Sequence, residues 1–577
     1  MTTTAIPSET TSATLPTPPV PAPRRLLAVD HLDVSFTAGR GRAVRTTRVV
    51  KDVSLHLEAG QCLAIVGESG SGKSVTARTL VGLPGAGAQV DADRLEVAGH
   101  QALRRPERSW RRIRGADIGF ILQDALVSLD PLRPVGREIE ESLRLHGATH
   151  PATRRAKVLE LLASVGVPEP ELRALQRPDQ LSGGLRQRAL IASAIALDPA
   201  LVIADEPTTA LDVTVQAQVL DLLAGMKDRG TGIVLISHDL SVVARMADHV
   251  AVMQGGAIVE QGPVAQVLGD PQHEYTRALL DAVPSSHTRG VPLTSAGREA
   301  LSGSVGRERI ERRADAPAVL RAEHLVKTYP GPDGRRSTVV DDVSFELRAG
   351  ETLGIVGESG SGKSTTAKIA LAMLEPDAGR VLLDGQAWTG LSTAQRRPRR
   401  RTVTAVYQDP LGSFDPRWNA ERILLDALDA GDYTTAASRR ARIVELAAAV
   451  GLASEHLAKH PLQLSGGQRQ RLAIARALAP DPEVIVLDEA VSALDVSVQA
   501  QVLDLLTDLQ QRLGLSYLFI SHDLGVIHHM SDRVLVMKGG RAVEQGDADQ
   551  VFNDPQHPYT RELLASLPRV ELAGPLR

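Results

Sequence analysis

The chain has 577 residues, too many for one ordinary hydrophobic core and enough for two domains of roughly 200 residues or more each, with tails. Its 65 basic and 69 acidic residues give a net charge of −4, so no global positive field favours nucleic acid or an anionic membrane surface. No uninterrupted apolar run approaches the ~20 residues that span a bilayer, and a single cysteine, Cys62, excludes an intrachain disulfide or a Cys-rich metal cluster.

Residues 1–25 are rich in Thr, Pro, Ser and Ala without apolar periodicity, a composition that cannot bury a core and reads as a disordered tail. The stretch lacks the basic start and apolar segment of a secretory signal, so the chain is expected to stay in the cytoplasm. From Leu26, LLAVDHLDVSF and TTRVVKDVSLHLEAG predict antiparallel strands. The apolar run Cys62 to Val66 follows, and Cys62 within it reads as a buried structural thiol. Next comes Gly67-Glu68-Ser69-Gly70-Ser71-Gly72-Lys73-Ser74, which fits the P-loop pattern in a strand–loop–helix setting. Glycines let the backbone aim successive N–H groups at phosphate oxygens, with a helix N-terminus behind them. Lys73 would reach the β- and γ-phosphates of a nucleoside triphosphate, and the Ser74 hydroxyl would help to hold Mg²⁺.

Further on, LSGG at 181–184 opens a predicted helix, and Ser182, Gly183 and Gly184 form a second anion cradle. LVIADE at 201–206 is an apolar strand that delivers two acids at its C-terminal end, where open α/β sheets bind ligands. Asp205 would hold Mg²⁺, and Glu206 would polarise the attacking water as general base.

Every one of these features occurs twice. Gly357-Glu358-Ser359-Gly360-Ser361-Gly362-Lys363-Ser364 repeats the first P-loop at every position, Ser465, Gly466 and Gly467 repeat the cradle, and Asp488 and Glu489 repeat the acids. The near-constant offset predicts a duplicated domain rather than a solenoid. Residues 285–317, with Ser, Gly, Arg and Glu but no sustained periodicity, read as a linker carrying a short helix around Arg307 to Arg313. The expected organisation is a tail (1–25), a first domain (26–284), the linker (285–317), a second domain (318–568) and a short tail (569–577).

In this combination the chain resembles an ATP-binding-cassette (ABC) ATPase with two fused cassettes, over about 26–284 and 318–568. The resemblance implies an α/β fold of two tandem P-loop NTPase domains, each with a RecA-like core, an antiparallel β subdomain and a helical subdomain. It also assigns residues. Gln123 and Gln408 match the Q-loop glutamine that senses Mg²⁺ and the γ-phosphate, and His238 and His522 match the switch histidine. Asp212 and Asp495 match the D-loop, and Phe36 and Tyr329 fall where the adenine is stacked. Leu185 in place of Gln468, Ala125 in place of Pro410, and Ala490 in place of Pro207 depart between the halves, and none removes a phosphate- or metal-binding group.

The tails DPQHEYTRALLDAVP and DPQHPYTRELLASLP are similar to those of dipeptide, oligopeptide and nickel importer ATPases. That resemblance implies an ATPase that binds ATP and Mg²⁺ and hydrolyses it at two sites shared between cassettes. It would work as a peripheral subunit on the cytoplasmic face of the inner membrane. Its partners would be two integral-membrane permeases and, indirectly, an extracytoplasmic solute-binding protein, with no nucleic acid. The helices between Q-loop and signature would dock the permeases, and the cargo stays open among peptides, nickel chelates, glutathione and oligosaccharides. A soluble tandem cassette acting on ribosomes is the alternative, but those are expected to carry a longer, strongly charged helical linker.

Overall fold

A computed structural model of the chain describes residues 24–38, 45–123, 128–147, 150–208, 211, 213–284, 289–303, 316–330, 336–431, 433–492 and 494–565. The expected disordered tail, Asp212, Ala125 and the helix expected at Arg307 to Arg313 lie outside these residues.

Each half carries a six-stranded sheet of the same topology. In the first half its strands are β1 (Cys62–Val66), β2 (Ile118–Ile121), β3 (Leu201–Asp205), β4 (Gly232–Ile236), β5 (His249–Gln254) and β6 (Ala257–Pro263), in the order 6-5-1-4-3-2. All neighbours are parallel except β5 and β6. The second half repeats it with β7 (Thr352–Val356), β8 (Val403–Val406), β9 (Val484–Asp488), β10 (Ser516–Ile520), β11 (Arg533–Lys538) and β12 (Arg541–Asp547), in the order 12-11-7-10-9-8. Parallel strands covered on both faces need continuous apolar runs. Accordingly CLAIV of β1 and GIVLI of β4 are buried at all five positions. Burial pushes the Cys62 thiol up to about 12, which makes it an inert core group as expected.

A second, antiparallel sheet in each half is led by Arg25–Ala38 paired with Arg45–Glu58, and by Ala318–Pro330 paired with Arg336–Arg348. Here one face is covered, and the residues alternate: Val343, Phe345 and Leu347 point inward while Ser344 and Glu346 do not. Between the second strand of the core sheet and the signature, helices Val135–Leu145 and Pro151–Ser164 bury Ile139, Leu143, Leu161 and Leu162. Thus the expected RecA-like core, antiparallel β part and helical part are all present in each half.

Helices that matter for the site are α1 (Lys73–Leu80), α2 (Gly183–Ala194), α3 (Val213–Asp228), α5 (Lys363–Ala370), α6 (Gly466–Leu478) and α7 (Val496–Leu513). Between α3 and α5, within the stretch read as a linker, Ser295–Gly303 forms helix α4. This segment is docked rather than loose. The Asp504 carboxylate on α7 accepts from the backbone N–H groups of Leu293 and Thr294 at 2.9 Å each and from the Thr294 hydroxyl at 2.7 Å. Arg289 pairs with Asp549, and Arg298 pairs with Asp281 at 2.8 Å. Leu293, 1% exposed, belongs to a hydrophobic cluster that runs through both halves. Thr294 Oγ1 itself accepts from Gly297 N at 3.0 Å at the start of α4, and Asp504 of the other domain fastens the two residues just before the helix, a contact that no local pattern marks.

Replacing Asp504 with Ala removes three acceptor contacts made by one charged group. The substitution is expected to destabilise the docked segment by about 2 kcal/mol. Trypsin cleavage at Arg298 should then be faster in the variant while digestion of the rest of the chain is unchanged.

Candidate active site

The strand order brings the site together. β1, β4, β3 and β2 lie side by side and parallel, and each releases one group from its C-terminal end: the P-loop after β1, His238 after β4, Asp205 and Glu206 at β3, and Gln123 after β2. In the second half β7, β10, β9 and β8 do the same for the second P-loop, His522, Asp488 with Glu489, and Gln408.

The P-loop is shaped by a close approach. Gly67 has φ +144°, and a Cβ there would lie 2.1 Å from the carbonyl oxygen of Met253 on β5; Gly357 has φ +155° and the same conflict with Met537. Only glycine fits. Folded back in this way, the loop offers its own carbonyls to the lysine. Lys73 Nζ donates to Gly67 O and Glu68 O, both at 2.7 Å, and Lys363 Nζ donates to Gly357 O at 2.6 Å and Glu358 O at 2.8 Å. Burial lowers the Lys73 pKa, and Glu206 and Asp495 act against that shift. Ser69, Gly70, Ser71 and Gly72, with Ser359, Gly360, Ser361 and Gly362, complete the two loops. The hydroxyls of Ser71 and Ser361 are buried without a hydrogen-bond partner, and no atom stands within 4 Å of a Cβ built on Gly70 or Gly360. These are the features of a cradle that an anion completes.

Ser74 Oγ donates to Asp205 Oδ1 at 3.0 Å, and Ser364 Oγ donates to Asp488 Oδ1 at 3.3 Å. Asp205 Oδ2 is buried with no partner, and burial raises the pKa of both aspartates. A hydroxyl and an under-satisfied buried carboxylate side by side fit a hard divalent cation that takes its remaining ligands from phosphate oxygens and water. Among the described residues no group of three or more His, Cys, Asp and Glu forms a cation cage.

Glu206 and Glu489 are the centre of a three-residue cluster. Gln123 Nε2 donates to Glu206 Oε2 at 2.8 Å and Gln408 Nε2 to Glu489 Oε2 at 2.7 Å. His238 Nδ1 stands 3.4 Å from Glu206 Oε1, and His522 Nδ1 stands 3.5 Å from Glu489 Oε2. Both glutamates have φ +51°, a strained left-handed backbone for a side-chain-bearing residue, held by bonds from their N–H groups to Ile236 O and Ile520 O. Burial opposes the charge on each histidine, yet the neighbouring glutamate outweighs it and raises the pKa of His238 and His522. Burial likewise pushes Glu489 upward, but His522 and Lys363 together bring it below the usual carboxylate range.

The signature residues sit elsewhere. Ser182 caps α2, accepting from Leu185 N at 3.4 Å, and Ser465 caps α6, accepting from Gln468 N at 3.3 Å. Gln468 returns the bond from Ser465 N at 3.0 Å, a reciprocal cap that Leu185 cannot make. A Cβ on Gly183 would meet nothing within 4 Å, and one on Gly184 would meet only Leu211. Gly466 is similarly open, whereas Gly467 is pressed by Val498. Phe36 is half-buried beside Gly85, and Tyr329 is 39% exposed; both lie on the antiparallel sheets, and neither takes part in the described contacts of the P-loops.

Two groups beyond the expected set join the site. Gln187, buried on α2, donates to Leu122 O at 3.4 Å and Pro207 O at 3.2 Å, tying the signature helix to the segments that carry Gln123 and Glu206. Its recurrence as Gln470 at the same place in the repeat was the available signal. The second is a contact between the halves: Thr214 Oγ1 at the start of α3 donates to Glu358 Oε1 of the second P-loop at 2.9 Å. No local pattern marks it, because it joins positions far apart in sequence.

Fold and site together define a tandem P-loop ATPase. A family profile described as "ABC transporter" matches residues 50–209 and 340–492, and one described as "Oligopeptide/dipeptide transporter, C-terminal region" matches 259–303 and 543–575. The glutathione import ATP-binding proteins GsiA of Escherichia coli and Shigella sonnei are each 43% identical over 95% of this chain and 90% of their own length. GsiA of Salmonella typhimurium is 44% identical over 94% and 90%. The chain belongs to the ABC transporter family. It is an ATPase whose cassettes bind ATP, and it is the subunit that powers an importer of the peptide type, with membrane permeases as partners. The ribosome-acting alternative finds no support among these relatives. No helix among the described residues is long and apolar enough to cross a membrane.

Because Glu206 is what raises His238, the protonated imidazole is favoured by the fold. Its contribution to stability is complete below the ordinary imidazole range and is lost as pH rises through the raised value. Glu206→Gln leaves burial unopposed by that charge, so the pKa of His238 should fall, as read by NMR titration of the histidine ring signals. An unchanged titration would remove Glu206 as the cause.

Proposed function

We propose that the two ATP sites are composite, each formed by the P-loop of one half and the signature of the other, and that the imported cargo is glutathione or a similar short peptide. The observation that carries the first part is the Thr214–Glu358 hydrogen bond across the halves, together with the electrostatic influence of Asp495 on Lys73. Both set the segment that follows one acidic strand against the opposite P-loop. The cargo reading is supported by the length over which the glutathione import proteins match.

Site one would then use Lys73, Ser74, Gln123, Asp205, Glu206 and His238 with Ser465, Gly466 and Gly467. Site two would use Lys363, Ser364, Gln408, Asp488, Glu489 and His522 with Ser182, Gly183 and Gly184. Phe36 and Tyr329 stack the adenines. Mg²⁺ would be held by Ser74, Asp205 and Gln123, or by Ser364, Asp488 and Gln408, and would offset the charge of the β- and γ-phosphates. Glu206 takes the proton of the attacking water at its carboxylate as the water oxygen bonds to the γ-phosphorus and the bridging bond to ADP breaks. Gln123 and His238 hold that carboxylate in place from either side. Lys73 and the loop amides bind phosphate charge in a site where water has been displaced.

Two permeases, fed by an extracytoplasmic solute-binding protein, dock from the membrane side of the cassettes, which work at the cytoplasmic face of the inner membrane. A cavity of about 190 Å³ between the end of α1 and the helical insert, lined by Leu83, Phe120, Ser142 and Leu190, supports this face as the docking groove. Leu83 is 46% exposed there.

Ser465→Arg puts a bulky cation against the nucleotide held by Lys73. Photo-crosslinking of an ATP analogue, followed by cleavage in the linker, should show trapping lost in the first half and retained in the second; the reverse pattern would refute the composite assignment. For the cargo, the complex with its permeases and binding protein should hydrolyse ATP faster when reduced glutathione is added. The Glu206→Gln, Glu489→Gln double variant should bind ATP and show no such stimulation. A wild-type complex stimulated by nickel chelates or oligosaccharides and not by glutathione or dipeptides would overturn the cargo reading.

A further inference from the structure

The importer-type tails end on the P-loops. In the first half, Tyr275 at the start of helix Glu274–Asp281 accepts at its hydroxyl from the backbone N–H of Glu68, at 3.0 Å. In the second half, Tyr559 accepts from the N–H of Glu358 at 3.3 Å. The rings are buried, 8% and 3% exposed. Two independent copies of the same contact, in halves that differ at many other positions, indicate that the contact is built rather than incidental.

Its supports are repeated as well. On the edge strands, Glu260 accepts from the N–H groups of Gln272 and His273 at 2.8 and 3.1 Å, and Glu544 from those of Gln556 and His557 at 2.7 and 3.1 Å. His273 Nδ1 then accepts from Tyr275 N at 3.1 Å, and His557 Nδ1 from Tyr559 N at 3.2 Å, capping each short helix. The QHxYT pattern is therefore a rigid bracket: the carboxylate fixes the turn, the histidine fixes the helix start, and the tyrosine projects from it onto the P-loop. In the second half the Lys538 ammonium stands 4.1 Å from the Tyr559 ring centroid and adds a cation–π contact where the first half has Gln254.

The tyrosine binds the N–H of the Gly67–Glu68 peptide, whose carbonyl, Gly67 O, accepts from Lys73 Nζ at 2.7 Å; in the second half it binds the Gly357–Glu358 peptide, whose Gly357 O accepts from Lys363 Nζ at 2.6 Å. Glu68 O accepts from Lys73 Nζ at 2.7 Å and from Ser71 N at 3.2 Å, and Glu358 O accepts from Lys363 Nζ at 2.8 Å and from Ser361 N at 3.1 Å. Glu68 and Glu358 are thus pinned on the amide side by the tail and on the carbonyl side by the lysine. The Glu358 side chain also takes the Thr214 hydroxyl from the opposite half, and Asp495 acts electrostatically on both Tyr275 and Lys73.

We propose that Tyr275 and Tyr559 are positioning residues for ATP turnover, each fixing through its hydroxyl the P-loop peptide whose carbonyl orients the phosphate-binding lysine. The inference rests on the reading of both P-loops as ATP sites. With the bond in place, the Glu amide is turned away from the cradle, and the lysine is presented by a loop that need not reorganise on binding. Without it, the N–H of Glu68 or Glu358 loses its partner and the loop relaxes to satisfy it.

The test is Tyr275→Phe with Tyr559→Phe in the full chain, which keeps the ring and deletes the hydroxyl. The expected result is a rise of about tenfold in KM for ATP, with kcat within about twofold and an unchanged melting temperature. Hydrogen exchange of the peptide spanning residues 67–73 should speed up in the nucleotide-free variant while the core strands keep their protection. A merely structural tyrosine would lower the melting temperature and leave KM alone, and unchanged KM with unchanged exchange at 67–73 overturns the proposal. If the double variant does not fold, each single variant is read by exchange at its own P-loop, with the same two outcomes. Lys73→Ala with Lys363→Ala separates the two levels of the argument. ATP binding that survives this pair defeats the P-loop reading itself, whereas binding lost in the lysine pair and normal in the tyrosine pair defeats only the positioning role.

Discussion

Met253 O and Met537 O stand where a side chain on the first glycine of each P-loop would have to be. The loop must therefore pass against the end of the neighbouring strand with nothing between, and this close passage turns the carbonyls of Gly67 and Glu68 inward to the Lys73 ammonium. Everything further out depends on that turn. Ser74 lies in the first turn of α1, where its hydroxyl meets Asp205, and the adjoining strands then supply Glu206, His238 and Gln123 in the order the sheet dictates. Burial lowers the pKa of the Lys73 ammonium, the carboxylates of Glu206 and Asp495 act against that shift, and the two carbonyls accept its hydrogen bonds.

Much of this was legible in the chain itself. Apolar runs of four or five residues that close in Asp-Glu or precede Ser-His identify buried parallel strands, because covered faces tolerate no polar interruption. The P-loop spacing and its exact duplication marked the two loops that fold around Lys73 and Lys363. Other features were hidden because they depend on sheet order rather than on local pattern. Gln123 and Glu206 are neighbours only because β2 lies beside β3, and His238 reaches the same carboxylate only because β4 lies on β3's other side. Nothing between residues 123 and 238 states that order. The docking of Leu293 and Thr294 on Asp504 was hidden for a different reason: the carboxylate and the backbone it fastens belong to different domains.

The two halves are near copies with unequal details. Gln468 closes a reciprocal cap with Ser465, and Leu185 leaves the first signature helix with one bond of the two. Lys538 braces Tyr559, while Gln254 occupies that place in the first half. Each difference is worth a fraction of a kcal/mol to about one. Neither difference replaces a residue proposed to bind phosphate or activate water, so the halves differ in the bracing around the same set of side chains.

The segment from Arg289 to Gly303 leaves the first half and is fastened to the second by Asp504 and Asp549. A tether that is itself docked sets the local concentration of one cassette around the other by geometry, independent of how much protein is present. For the proposed composite sites, closing on nucleotide would be a first-order event in place of an encounter between two diffusing bodies. The loss of translational freedom has already been met during folding, so nucleotide affinity need not cover it. Dilution should leave the coupling of the two sites intact, a property that separately encoded cassettes do not share unless their membrane partners hold them together.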